Sequence, residues 1–163
     1  MRLSKRFAAV AALIIILSVS STVFAAGQPA SVPGPKDKCP VCGMFVGKYP
    51  AWAAEVRFNN ATSAWFDGPK DCFACMLDMK KYSPGKTAAQ VTAVLVNDYY
   101  TLKPIDGRKA FYVAGSDVYG PMGAELVPFA KEQDAREFMA DHNGKRLLRF
   151  GEVTKAVLDT LEQ

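Results

Sequence analysis

Four cysteines, six methionines and a single histidine carry most of the metal and redox chemistry that this 163-residue chain can offer. The cysteines fall in two pairs of equal spacing, Cys39-Pro-Val-Cys42 and Cys72-Phe-Ala-Cys75. In the first pair, two intervening residues let both thiolates converge on one ion. Gly43 permits the tight turn of a knuckle, and Met44 adds a thioether. Thiolates and thioethers are soft donors, and a mixed set selects copper(I), whereas structural zinc recruits Cys and His and leaves Met aside. The same spacing also serves a disulfide or a structural zinc knuckle.

The second pair sits in a segment whose pattern predicts a helix from Asp71, as its cap, to about Tyr82. On that helix Cys72, Cys75, Met76 and Met79 occupy i, i+3, i+4 and i+7 and form one sulfur stripe. The stripe could be a second soft-metal surface, or a redox site with Cys72 acidified by the helix N-terminus. It is equally what an amphipathic helix turns toward its core. A single four-thiolate site remains open as well, although the 29 residues between the pairs exceed the spacer of a short zinc ribbon. Met122 lies between Gly120-Pro121 and Gly123 in a loop expected over 115–123, either as a placed ligand or folded over the core. His142, beside Asn143-Gly144 at the expected end of a helix, is a capping residue or a further ligand. The sequence has no P-loop, G-x-S-x-G, H-E-x-x-H or dinucleotide glycine pattern, and one histidine leaves little for a hydrolytic triad.

The elements that must position these residues follow from patterning. Residues 1–26 combine a basic start, an uncharged apolar run and small residues before Ala25, which is a secretory signal peptide. Export places the cysteines in an oxidising compartment, the periplasm, with no stable membrane insertion unless the signal is retained. Without Arg2, Lys5 and Arg6 the net charge of +4 falls to +1, too little to steer the chain to nucleic acid. Residues 27–38, rich in Pro and Gly, read as a flexible tether before a domain over 39–163.

Within that domain Ala54, Val56 and Phe58 alternate, Asn59-Asn60 turns the chain, and 62–66 returns as a hairpin. Further strands are expected at 91–96, 110–113, 125–129 and 146–150, with helices at 133–142 and 152–161. Gly144 is expected to close the first of these helices as its C-cap. The fold class is α+β, built on small, mostly antiparallel sheets with packed helices.

Cys39-Pro-Val-Cys-Gly-Met44, Phe66-Asp-Gly68, Ile105–Val113, Gly115–Gly123, Glu125–Phe129 and Arg149–Thr154, in that order, resemble the NosL family, copper-binding accessory proteins of nitrous-oxide reductase. The resemblance covers nearly the whole mature domain. It implies a domain related to the treble clef that binds copper(I) outside the cytoplasm. Such a protein hands the ion to a copper-accepting client enzyme or its assembly machinery, as in nitrous-oxide reductase maturation and denitrification. It makes Cys39, Cys42, Met44 and Met122 the ligand candidates, with His142 at the family's His-Gly position. Two departures stand out: no cysteine near the leader could carry a lipid, and the Cys72–Cys75 pair is not a family feature. The leading reading is therefore a copper(I) metallochaperone without enzymatic activity. Its alternatives are a thiol-disulfide oxidoreductase using Cys72 and Cys75, or a structural zinc interaction module.

Overall fold

The computed structural model describes residues 32–162; the expected signal peptide and residues 27–31 of the expected tether lie outside them. The described part of that tether is joined to the cysteine knuckle. Asp37 accepts a hydrogen bond from the Gly34 amide at 2.7 Å, and its carbonyl accepts one from the Val46 amide at 3.0 Å.

The strands β1 (Ala54–Phe58), β2 (Ser63–Phe66), β3 (Val91–Asn97) and β4 (Pro104–Asp106) form one antiparallel sheet in the order β2-β1-β3-β4. The alternation expected around Val56 is present, because Ala54, Val56 and Phe58 are all buried. Glu55, on the opposite face, is buried as well. Arg57 satisfies it through a contact of 2.9 Å, and Ser63 Oγ donates to it at 2.6 Å. A second antiparallel sheet, in the order β6-β5-β7, contains β5 (Phe111–Gly120), β6 (Gly123–Phe129) and β7 (Arg146–Arg149).

Helices α1 (Pro69–Leu77), α2 (Met79–Tyr82), α3 (Glu132–Asp141) and α4 (Lys155–Asp159) pack with the sheets, so the fold is α+β. The main core draws Val56 and Val94 from the first sheet, Tyr112 and Leu126 from the second, Phe73 from α1 and Val157 from α4. Phe73 meets Tyr112 edge-on, with ring centroids 5.0 Å apart. Tyr112 Oη donates to the Gly107 carbonyl at 2.6 Å, which ties the Asp106-Gly107 turn to β5. A smaller cluster seats Ala135 and Phe138 of α3 on Val113, Val127 and Phe129.

Four expectations need correction. The single helix to Tyr82 is broken at Asp78, whose backbone leaves the helical region (φ −136°, ψ 66°). The Asp78 side chain accepts from the Lys81 amide and starts α2, so Met79 begins a different helix from Cys72, Cys75 and Met76. Asp71 is not the cap of α1: Gly68 holds that position and Pro69 opens the first turn. The expected loop over 115–123 is mostly strand, since β5 continues through a bulge to Gly120 and leaves a two-residue turn at Pro121-Met122. At the end of α3 Asn143 takes the left-handed conformation (φ 56°), while Gly144 is needed for space, because a Cβ there would collide with Val113 and Met139.

Candidate metal centre

The first cysteine pair lies on a backbone knuckle fixed by local hydrogen bonds. Lys38 and Phe45 form an isolated antiparallel bridge, the Cys39 amide donates to the Met44 carbonyl at 2.9 Å, and the Gly43 amide returns to the Cys39 carbonyl at 2.9 Å. Closing this turn requires φ 80° at Gly43, a conformation that costs a side-chain-bearing residue and not glycine.

Against the knuckle stands the entry to α1. The chain leaves β2 at Phe66, passes through Asp67, and begins the helix after an extended Gly68, which puts Asp71 in the first turn. Cys39 Sγ donates to Asp71 Oδ2 at 3.1 Å, and Cys42 Sγ donates to Asp67 Oδ1 at 3.2 Å. One ligand atom from each of Cys39, Cys42, Asp67 and Asp71 lies within 4.8 Å of the others. Cys39, Asp67 and Asp71 are buried, whereas Cys42 is partly open. Burial pushes both thiols up, Cys39 strongly and Cys42 to about 11, and the neighbouring carboxylates add to the rise. Burial likewise raises Asp71. The metal-free thiols are therefore protonated at neutral pH, and an entering cation must displace those protons.

A second arrangement fixes the helix entry. Glu125 of β6 is fully enclosed, and Oε1 accepts from the Lys70 amide at 2.5 Å and from the Leu126 amide at 2.8 Å. It thus satisfies from another strand one of the amides that a helix N-terminus leaves without an internal partner. Burial raises its carboxyl to about 8. In the opposite direction Lys70 Nζ donates to the Met122 carbonyl at 3.3 Å. The hairpin tip bearing Met122 is thereby tied to the helical turn bearing Asp71.

The residues singled out in the sequence are thus placed unequally. Cys39 and Cys42 come together, and Met44 is half-buried on the same knuckle. Met122 is 48% exposed at the tip of the β5–β6 hairpin. His142 is engaged elsewhere, with Nδ1 3.1 Å from Asp117 Oδ1 and its ring stacked on Phe138 at 4.4 Å. Cys72, Cys75 and Met79 are core residues, and Met76 packs partly buried against the same core. Cys75 Sγ lies 3.3 Å from Ser83 Oγ, and burial raises both thiols.

The sequence does not mark Asp67 and Asp71 as part of this cluster, because Asp71 reads locally as a helix cap and Asp67 only as part of Phe66-Asp-Gly68. The available signal was their spacing of four across a helix start, facing a Cys-x-x-Cys. Chemically, the thiolate pair suits one soft ion. Carboxylates are poor partners for copper(I), and in the metal-free protein they accept the thiol protons' hydrogen bonds.

The NosL family model matches residues 31–158. The chain is 33% identical over 138 residues to the copper-binding lipoprotein NosL of Stutzerimonas stutzeri, covering 75% of this chain and 64% of that protein. It therefore spans just under two thirds of that relative's length. It is 28% identical over 172 aligned positions to the copper-binding lipoprotein NosL of Achromobacter cycloclastes, covering 98% of this chain and 86% of the relative. Among solved structures, the copper chaperone NosL from Shewanella denitrificans superposes with a TM-score of 0.66 at 29% identity, over 78% of this chain and 96% of that one. With a family match running from the described N-terminal segment into the last helix, and with relatives of the same name at both levels of comparison, the chain belongs to the NosL family.

Proposed function

We propose that this protein is an extracytoplasmic, non-enzymatic copper(I) carrier that supplies the ion for assembly of a copper centre in a client enzyme, nitrous-oxide reductase or a related one. The observation that carries the reading is the asymmetry of the cysteine pair: Cys39 is 1% exposed, whereas Cys42 is partly open to solvent. A buried thiolate retains the ion while an accessible one admits an incoming ligand. The names of the relatives, copper-binding lipoprotein and copper chaperone, support the choice of cargo. Met44 and Met122 are the proposed thioether donors. His142 would have to leave Asp117 to join them. Periplasmic location and a cleaved leader complete the proposal; among the described residues no helix is long and apolar enough to cross a membrane.

A thiol-disulfide oxidoreductase using Cys72 and Cys75 is disfavoured by the burial of both sulfurs. Such chemistry needs an accessible thiolate of lowered pKa, and here burial raises both.

The carrier reading is tested by the kinetics of copper withdrawal from the anaerobically loaded protein. A carrier passes copper by ligand exchange, so the rate should rise with the concentration of a chromophoric copper(I) chelator. A rate independent of chelator would mean that the ion must first dissociate, and would contradict the proposal. Met44→Ala and Met122→Ala should each weaken copper(I) binding about tenfold, which corresponds to the loss of about 1.4 kcal/mol; unchanged affinity would remove that residue from the ligand set.

A further inference from the structure

We propose that the outer face of the knuckle ribbon, with Phe45 between Lys38 and Lys48 and with Lys36 on the adjoining segment, is the docking surface for the copper-accepting protein. The partner it fits is acidic, with an apolar recess that receives the Phe45 ring and carboxylates around that recess that meet the ammonium groups. It rests on the carrier reading and names how the acceptor is recognised.

Phe45 is 39% exposed, although its neighbours turn inward: Val46 is fully buried and Met44 half-buried. The isolated bridge between Lys38 and Phe45 explains the difference. Residues paired across antiparallel segments point to the same side, and successive residues to opposite sides. Lys38 and Phe45 therefore share the side away from the buried Cys39. Lys38 Nζ stands 4.8 Å from the Phe45 ring centroid and Lys48 Nζ 5.8 Å, both within the range of cation–π attraction. Beside the ring lies a shallow concavity of about 540 Å³, lined by Pro33, Pro35, Phe45, Gly47 and Lys48.

Charge identifies the occupant. Residues 32–49 carry three lysines and one carboxylate, Asp37, which accepts from the Gly34 amide at 2.7 Å. Lys36, Lys38 and Lys48 are all exposed, and among the described residues no salt bridge reaches them. Cations around an exposed aromatic ring, with no carboxylates of their own, complement an acidic surface in which the ring is the anchor. Lys38 directly precedes Cys39, and Phe45 follows Cys42 by three positions, which keeps the Cα atoms of Phe45 and Cys42 within about 11 Å. That is close to the screening length of about 10 Å at 0.1 M salt, so lysines that hold the acceptor also draw it toward the partly open thiol. An anionic bilayer offers the charge but no recess, and three ammonium groups without a second anchor hold a protein on lipid only marginally. The ring and its concavity therefore favour a protein partner.

The test follows copper withdrawal from the anaerobically loaded protein. A disulfonated aromatic copper(I) chelator serves as the anionic acceptor, and its uncharged parent as the control. At low salt Lys38→Glu/Lys48→Glu should slow withdrawal by the anionic chelator about tenfold and leave the rate for the uncharged one within about twofold of wild type. Phe45→Ala should slow both about threefold, and copper(I) affinity should stay within about threefold in both variants. In wild type, raising salt from about 0.02 M to about 0.5 M should slow the anionic chelator alone, a readout that needs no variant. Equal effects of charge reversal on the two chelators, no salt dependence, or wild-type rates in Phe45→Ala would overturn the proposal. So would a matching loss of copper affinity, which would make these residues part of how the knuckle is held. Sedimentation of wild type, but not of the lysine variant, with phosphatidylglycerol vesicles would assign the face to lipid and overturn it as well. Release independent of either chelator would sink the carrier reading and this one with it. Rates that rise with both chelators but ignore their charge would leave the carrier reading standing and remove this one.

Discussion

Gly68→Ala isolates the contact that sets the entry to α1. Gly68 is extended (φ −164°, ψ 161°), a conformation open to any residue, so backbone strain gives no reason for glycine there. Space does: a Cβ at this position would fall on Glu125 Oε2. Alanine must therefore push the carboxyl away from the Lys70 and Leu126 amides, which it holds at 2.5 and 2.8 Å. Leaving a buried donor without its acceptor costs about 1–3 kcal/mol, so displacing both should cost about 3 kcal/mol in all. For a domain of this size that lowers Tm by about 10 °C. Thermal and urea unfolding of Gly68→Ala, Glu125→Ala and the double variant measure the effect. In the Glu125→Ala background the obstruction is gone, and Gly68→Ala should cost under about 1 kcal/mol, giving a coupling of about 2 kcal/mol. A Tm within 1 °C of wild type, or equal costs in both backgrounds, would refute the reasoning.

Glu125 also makes stability depend on pH. Its folded carboxyl titrates near 8 against an ordinary value of 4.5, so between these values the folded chain holds a proton that the unfolded chain has released. Stability from this group is full at the acid end and is lost as pH rises toward 8. Relative to Glu125→Gln, wild-type Tm should fall from pH 5 to pH 8; parallel profiles would contradict the assignment. Because both thiols of the knuckle are raised, with Cys42 near 11, copper(I) binding displaces protons and the apparent affinity should climb between pH 6 and 9. The slope should approach two logarithmic units per pH unit, and competition titrations showing no pH dependence would contradict it. Cys72→Ala and Cys75→Ala should each cost about 1–2 kcal/mol as buried truncations while copper stoichiometry stays unchanged, as read by unfolding and metal analysis.

The parts of this fold legible in the sequence are those where local chemistry and tertiary packing agree. The β1–β2 hairpin follows from alternation around Val56 and the asparagine turn, and α3 from the spacing of Ala135 and Phe138. The knuckle is equally readable, because Gly43 after Cys42 has one evident conformational use. Local signals failed where a competing interaction decided. Asp78 reads as one more polar residue on a continuous helix, but its side chain captures the Lys81 amide and divides that helix. The glycines at 115, 120 and 123 suggest a loop. In the fold Gly115 carries a bulge, Gly120 makes room for Glu125, and Gly123 closes a hairpin. The candidate site was half visible. Its two thiols are three positions apart, whereas Asp71 reaches Cys39 across 32 positions, a convergence set by the packing of α1 against the knuckle. Glu125 was hidden for the same reason, since its partner Lys70 lies 55 residues away.

The central claim, that the Cys39–Cys42 knuckle is where copper is carried, is tested most directly by copper(I) stoichiometry and affinity. The mature, anaerobically reduced protein would be measured beside Cys39→Ser/Cys42→Ser and Cys72→Ala/Cys75→Ala. The account predicts one tightly held copper in wild type, its loss when the first pair is replaced, and its retention when the second pair is replaced. Tight copper binding that survives replacement of Cys39 and Cys42, or disappears only with Cys72 and Cys75, would contradict it.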